Sequence, residues 1–385
     1  MPAEAPTGSG QAAEAVRTLR AMVDIPSPSG GEQPLARYVA DRMAGLGYAA
    51  RIDDAGNAIG EIGDDAGPIV MMVGHLDTVP GAIPVQESGG ALFGRGTVDA
   101  KGPLAAMMHA GARAAAAAPG ARFVVVGAVD EERASRGAHH LLATADRPDA
   151  LLIGEPSGVD AVVVGYKGIL RFDYHVRRPW AHTSSPAERA VEVAAELWCA
   201  VRASMTDESP AGSAFDRAIP ALTALEGDLG RARAEISCRL PLGFDAESFL
   251  DWVRGWREDS DVTVLEQLPA VRTSRADPLV RAVAGAVRRT VGTATVKVKL
   301  GTSDMNVLAP SWGVPAVAYG PGDSALDHTD DEHVRLDDYL LAVGALTEAL
   351  PAVAAQLRGP ADLTTIGSLP SAAIAARTRL PEGRR

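Results

Sequence analysis

Cysteine is nearly absent from this 385-residue chain: only Cys199 and Cys238 occur. A disulfide framework is therefore not expected, and a reduced, cytoplasmic setting is the simplest reading. Lysine is scarce too. Of 37 basic residues only Lys101, Lys167, Lys297 and Lys299 are lysines, and all lie beside Gly-rich or charged motifs (DAKG, GYKG, VKVKLGTSD). Lysine is a compact charge on a flexible stem, and arginine does not always replace it. No run approaches the ~20 consecutive apolar residues that cross a bilayer, so no membrane association is expected. The opening MPAEAPTGSGQAAEA lacks the basic start and apolar core of a secretory signal. Positive charge is outnumbered, leaving a net charge of −12, which argues against non-specific nucleic-acid binding.

What is present is an alternation of helical patterns and short apolar runs. Residues 11–23 and 32–46 read as helices separated by the breaker-rich IPSPSGGE. PIVMMVGH (68–75), RFVVVGAV (122–129) and ALLIGE (150–155) read as buried strands, and LAAMMHAGARAAAAA (104–118) as a helix. Such βα alternation predicts an α/β fold with a mostly parallel sheet and helices on both faces. The pattern then changes: strand character over 162–178, a helix near 186–204, strands near 232–240 and 261–266, and a helix near 246–257. This is an α+β unit inserted at 165–275. The α/β pattern resumes with a helix at 278–291, strands at 294–299 and 314–319 and a helix near 336–357. The expected catalytic domain therefore spans 1–164 and 276–358. The tail, 359–385, shows little periodicity and is expected to be loosely ordered.

Acidic and histidine motifs follow the strand-like runs, where sites gather in open α/β sheets. VGHLDTVPG places His75 and Asp77 two residues apart on extended chain, hence on one side. One of the pair can bind a metal while the other orients it, although an HxD alone also fits a surface turn. GRGTVDAKG sets Asp99 in a Gly-rich turn that opens a helix. VVVGAVDEER ends a strand with Asp130, Glu131 and Glu132, and ALLIGEPSG ends another with Glu155. YGPGDSALDHTDDEHV carries His328 in a loop among acids. Two divalent ions would bring four positive charges. Asp99, Glu132 and Glu155 offset three of them, with His75 and His328 neutral, and a bridging hydroxide offsets the fourth. Nitrogen and oxygen donors without cysteine suit zinc, and also cobalt or manganese. Two such ions ~3.5–4 Å apart share a carboxylate and a water and polarise a carbonyl. A carboxylate that is not a ligand must then take the proton of the water, and Glu131 is the candidate.

The ordered set GHLDTVP, GRGTVDAKG, DEE, GEPS and DHT resembles the co-catalytic zinc amidohydrolases that include acetylornithine deacetylase, succinyl-diaminopimelate desuccinylase and aminoacylase. The resemblance implies a zinc-aminopeptidase-like catalytic domain carrying an inserted α+β lid that makes a homodimer. It implies that His75, Asp99 and Glu155 hold one zinc, and that Asp99 bridges to a second held by Glu132 and His328. Asp77 would orient His75, and Glu131 would be the base. In RPWAHTSSP, His182 would reach into the site of the partner subunit and stabilise an oxyanion. Arg239 in ISCRLP would bind a substrate carboxylate, although Cys238 stands before it where aspartate is common. LGTSDMN would bring Gly301, Thr302 and Ser303 to the substrate.

GYKGILRF, KLGTSDMNVLAP and GPGDSALDHTDDEHV are most similar to one branch, the hydrolases that free lysine or ornithine from the C-terminal glutamate of an acidic amino-group carrier protein. The resemblance covers about residues 15–355. An acidic carrier would need a local basic patch on this acidic chain, for which Lys167, Arg171, Arg177 and Arg178 are the candidates. Asp304, Asp323 and Asp327 would face the distal ammonium of the substrate. A small-molecule deacylase acting on N-acetyl-ornithine or N-acetyl-lysine is the alternative within enzymes. A metal-free interaction protein on the same fold is the alternative outside them, and the full set of ligand types speaks against it.

Overall fold

The computed structural model describes residues 9–205 and 213–358; the expected loose tail at 359–385 lies outside them. By its internal contacts the chain divides into two compact units. The first comprises the chain through Gly165, Arg272–Val298 and the described residues from Ser303 onward; the second comprises Tyr166–Val271 and Lys299–Thr302.

At the centre of the first unit are four parallel strands, in the order Arg122–Ala128, Ile69–His75, Ala150–Ile153 and Ala316–Ala318. Each is a short run of branched and small apolar residues, and nearly every position is buried, as expected of parallel strands covered on both faces. Val70, Met72, Phe123, Val125 and Leu152 join one core cluster with the helices Ser9–Val23, Lys101–Ala117, Pro278–Val291 and Leu336–Leu357. Their alternates Met71, Val73, Val126 and Ile153 point to the other face and are also buried. The helices Arg136–Thr144 and Asp304–Trp312 pack together on that side.

Two elements unmarked in the sequence extend the sheet: Ala49–Ile52 and Ala58–Gly63, paired antiparallel with each other and onto Arg122–Ala128. Gly74 and Gly127 lie side by side in the sheet. A Cβ at Gly127 would meet the Leu76 and Leu104 side chains at 2.8 and 3.1 Å, so glycine lets the helix Lys101–Ala117 close onto the end of the sheet that carries the acidic motifs. The helix Leu336–Leu357, with a windowed mean hydropathy of 1.6, is long and apolar enough to cross a membrane, a stretch the sequence did not flag. Here Tyr339, Val343, Leu346, Leu350 and Val353 lie at 0–1 % exposure in the core; each such burial contributes roughly 1.5–3 kcal/mol.

The second unit is a four-stranded antiparallel sheet ordered Ile219–Gly227, Arg231–Leu240, Gly168–Arg177 and Ser260–Leu268. The strand Arg231–Leu240 alternates: Ala232, Ala234, Ile236, Cys238 and Leu240 are buried against the helices Ala190–Met205 and Ala246–Arg254, and Arg231, Arg233, Glu235, Ser237 and Arg239 take the other face. The single strand expected over 162–178 is two, Ala161–Tyr166 and Gly168–Arg177, parted at Lys167. The Lys167 Nζ donates to the carbonyls of Ala214, Phe215 and Arg217, and its backbone N–H donates to Lys299 O at 3.3 Å.

Candidate active site

Five segments of the first unit bring the acidic and histidine motifs together. His75 ends the strand Ile69–His75 and is 1 % exposed. Its Nε2 lies 2.9 Å from Asp99 Oδ1 and 3.9 Å from Glu155 Oε1. The other oxygen of Asp99, Oδ2, lies 3.2 Å from His328 Nε2, which in turn is 3.0 Å from Glu132 Oε1. Asp99 thus turns one carboxylate oxygen to each histidine. His328 reaches this position because the strand His333–Arg335 pairs with Ala91–Phe93, the strand leading into the Asp99 turn. Asp130 and His328 both adopt positive φ (66° and 59°), uncommon for residues with a side chain and found where a turn must aim a group.

Asp77 does more than sit beside His75. The His75 Nδ1 contacts the Asp77 carbonyl at 2.8 Å and its carboxylate at 3.6 Å. The carboxylate also accepts the N–H groups of Glu131 and Glu132, at 3.0 and 3.1 Å. Those two neighbours in the chain then diverge. Glu132 goes to His328, and Glu131 gathers with His75 and Glu155, their ligand atoms within 4.8 Å of one another. The trio His75, Asp99 and Glu132 meets the same limit.

Electrostatics follow from crowding acids with two histidines. Burial, reinforced by Glu155, Asp304 and Asp99, pushes the Glu131 carboxyl well above the usual carboxylate range, although His75 opposes this. Burial would raise Asp99 as well, but hydrogen bonds to His328 and His75 hold it low. His328 is raised to about 10 by its bonds to Asp99 and Glu132. Burial works against a charged His75, yet Asp77 and Asp99 raise it well above the ordinary value. Among the described residues the ion pairs of Asp99 and Glu132 are with histidines alone. A nitrogen and oxygen donor set with one carboxylate facing two ways, and no lysine or arginine paired to Asp99 or Glu132, fits a pair of divalent cations.

The substrate candidates are placed differently. Ser303 is 3 % exposed, and its side chain caps the helix Asp304–Trp312 in a reciprocal box with Asn306. Asp304, 2 % exposed at the start of that helix, is bound to Ser135, and burial raises its carboxyl to about 6; it is packed under the Asp130–Ser135 turn rather than offered to an ammonium. Asp323 caps Ala325 N–H at 2.9 Å. In the second unit Arg239 Nη1 donates to Thr302 Oγ1 at 3.3 Å, beside Gly301 in the chain. Cys238 points the other way, into the core, and burial pushes its thiol up to about 12. His182 is exposed, and its Nδ1 lies 2.8 Å from Ser184 Oγ and 3.2 Å from the Ser184 backbone nitrogen.

The basic patch of Lys167, Arg171, Arg177 and Arg178 does not form. Lys167 is fully buried on backbone carbonyls, and Arg178 is tied to Asp259 and Glu188. Only Arg171 and Arg177 stay exposed.

Three supporting residues escaped the sequence reading. Glu332, 1 % exposed, accepts the N–H groups of Val98 and Asp99 at 2.9 and 3.2 Å and pairs with Arg95 at 2.9 Å. Asn57 is fully buried and accepts Val129 N–H at 3.0 Å, just before the acidic turn. Ser29 donates to Asp77. Each acts on a motif distant in the chain, so no local pattern marks it.

Comparison with known proteins agrees with this arrangement. The description "Peptidase family M20/M25/M40" matches residues 71–352. A Deinococcus radiodurans protein named [LysW]-lysine hydrolase is 42 % identical over 360 residues, covering 90 % of this chain and 98 % of that one. The crystal structure of aminopeptidase PepT from Bacillus cereus superposes with a TM-score of 0.73 at 20 % identity, covering 89 % of this chain and 99 % of its own. A Bacillus subtilis protein described as a dinuclear metal-binding peptidase from the M20 family gives 0.66 at 14 % identity, covering 90 % and 99 %. These two likenesses establish the fold. With the matched family region spanning most of the chain, this protein is a hydrolase belonging to peptidase family M20/M25/M40.

Proposed function

We propose that this hydrolase uses two divalent metal ions, zinc or alternatively cobalt, to cut the amide joining a diamino acid to the C-terminal glutamate of an acidic amino-group carrier protein. Lysine, ornithine or a related diamino acid is released. The observation that carries the reading is the 42 % identity, over nearly the whole of both chains, to a protein named for acting on [LysW]-lysine.

His75, Asp99 and Glu155 would hold one ion, and Asp99, Glu132 and His328 the other, with Asp99 shared between them; Asp99 Oδ1 faces His75 and Oδ2 faces His328. Bound ions would acidify a water and polarise the amide carbonyl. Glu131 takes a proton from the attacking water and passes it to the leaving α-amine. Asp77 keeps Glu131 and Glu132 aimed through their backbone amides. His182 stabilises the oxyanion from the partner subunit of a homodimer built on the 165–275 insert. Arg239, beside Thr302, binds the α-carboxylate of the diamino acid.

The test is mass spectrometry of the loaded carrier before and after incubation with enzyme. Loss of the diamino acid, leaving a free C-terminal glutamate, supports the reading. An untouched carrier together with rapid hydrolysis of N-acetyl-ornithine or N-acetyl-lysine replaces it with a small-molecule deacylase.

A further inference from the structure

The Asp77 carboxylate carries a contact from far along the chain. Ser29 Oγ donates to Asp77 Oδ2 at 2.8 Å, across 48 positions. Ser29 lies in the segment between the helices Ser9–Val23 and Gln33–Gly45. That segment is already tied down. Thr78 N–H donates to Ser27 O at 3.0 Å, Ser27 Oγ donates to Leu76 O at 2.8 Å, and Lys101 Nζ donates to Ile25 O at 2.8 Å. All three of those bonds end on backbone carbonyls. The Ser29 bond ends on the carboxylate that accepts both the Glu131 and Glu132 amides, and on the same oxygen as Glu132.

The end torsion of an aspartate is soft, with broad wells rather than sharp ones. Two amides from adjacent residues reach the Asp77 carboxylate from one turn. A donor from an independent segment removes the remaining freedom of rotation. We propose that Ser29 is a positioning residue: through Asp77 it fixes the orientation of the Glu131–Glu132 dipeptide, and so the aim of the base and of one metal ligand. This rests on the roles given above to Glu131 and Glu132. It adds a residue from the N-terminal segment whose side chain reaches the site through Asp77.

The experiment compares full-length, zinc-loaded wild type with Ser29→Ala, Ser29→Thr and Ser27→Ala. Steady-state turnover of the loaded carrier, zinc retention against a chelator and thermal midpoint are measured for each. Ser29→Ala should lose about three- to tenfold in kcat, the scale of one hydrogen bond, with KM within about twofold. It should also give up one of its two zinc equivalents faster. Ser29→Thr, which keeps the hydroxyl, should restore both. Ser27→Ala should lower the midpoint and leave kcat unchanged, because its bond only anchors the loop. If Ser29→Ala does not fold, Ser29→Cys keeps the volume with a weaker donor and serves the same comparison. Equal kcat and zinc retention in Ser29→Ala and wild type would overturn the proposal, as would a Ser27→Ala that matches Ser29→Ala in both. Wild type inactive on the carrier would count against the substrate alone, and zinc retention would then decide the role of Ser29.

Discussion

The Asp77 carboxylate holds Glu131 by its backbone: Oδ1 accepts the Glu131 N–H at 3.0 Å, while His75 Nδ1 stands 3.6 Å from the same oxygen. One buried acid therefore serves both the residue assigned to metal binding and the residue assigned to proton transfer. Asp77→Asn keeps the size but loses an acceptor edge. A fall of roughly 10–100-fold in kcat/KM or zinc affinity is expected, the usual scale for groups that orient ligands. Kinetics alongside metal titration checks it; an unchanged enzyme would leave Asp77 without a function.

Geometry groups Glu131 as closely with His75 and Glu155 as it groups Asp99 and Glu132 with His75. The assignments separate by substitution. Glu131→Gln should keep both metals and substrate affinity and lose on the order of 10²–10⁴ in turnover. Glu132→Gln should weaken metal binding. Atomic emission analysis of both proteins distinguishes them, and a metal-poor Glu131→Gln would make Glu131 a ligand.

A dimer with His182 acting across subunits predicts complementation. His182→Ala and Glu131→Gln proteins should each be nearly inactive. After subunit exchange, hybrids contain one site with both groups intact, and partial activity should return. Hybrids that form, as seen by native mass spectrometry, yet stay inactive would confine His182 to its own subunit or to no catalytic role.

His109 is 3 % exposed, bonded to Thr18 Oγ1 at 3.0 Å, and burial lowers it from 6.5 to about 4. Between those values the unfolded chain binds a proton that the folded one refuses, so stability falls as pH drops. The slope is about 1.4 kcal/mol per pH unit within that window. His109→Gln removes the group. The stability difference between wild type and variant should therefore shrink as pH falls from about 6.5 to 4. Urea unfolding at several pH values measures it, and a constant difference would mean that His109 keeps its ordinary proton affinity.

The sequence alone determined the parallel centre, because runs such as RFVVVGAV and PIVMMVGH have no stable place except between two covered faces. It also named the family, since five short motifs in order specify far more than any one of them. Tertiary structure decided what each motif leans on. Which oxygen of Asp99 meets which histidine depends on the pairing of His333–Arg335 with Ala91–Phe93, a contact spanning most of the chain. That Lys167 is buried and Arg178 already paired, so that no basic patch forms, depends on carbonyls and acids dozens of residues away. Ser303 and Asp304 look alike as polar loop residues in LGTSDMN, yet one caps a helix and the other lies beneath the acidic turn. Hydrophobic periodicity is local and survives in the sequence. Hydrogen bonds to backbone amides carry no residue signature at the amide end, so Ser29, Asn57 and Glu332 became legible only once the chain had folded.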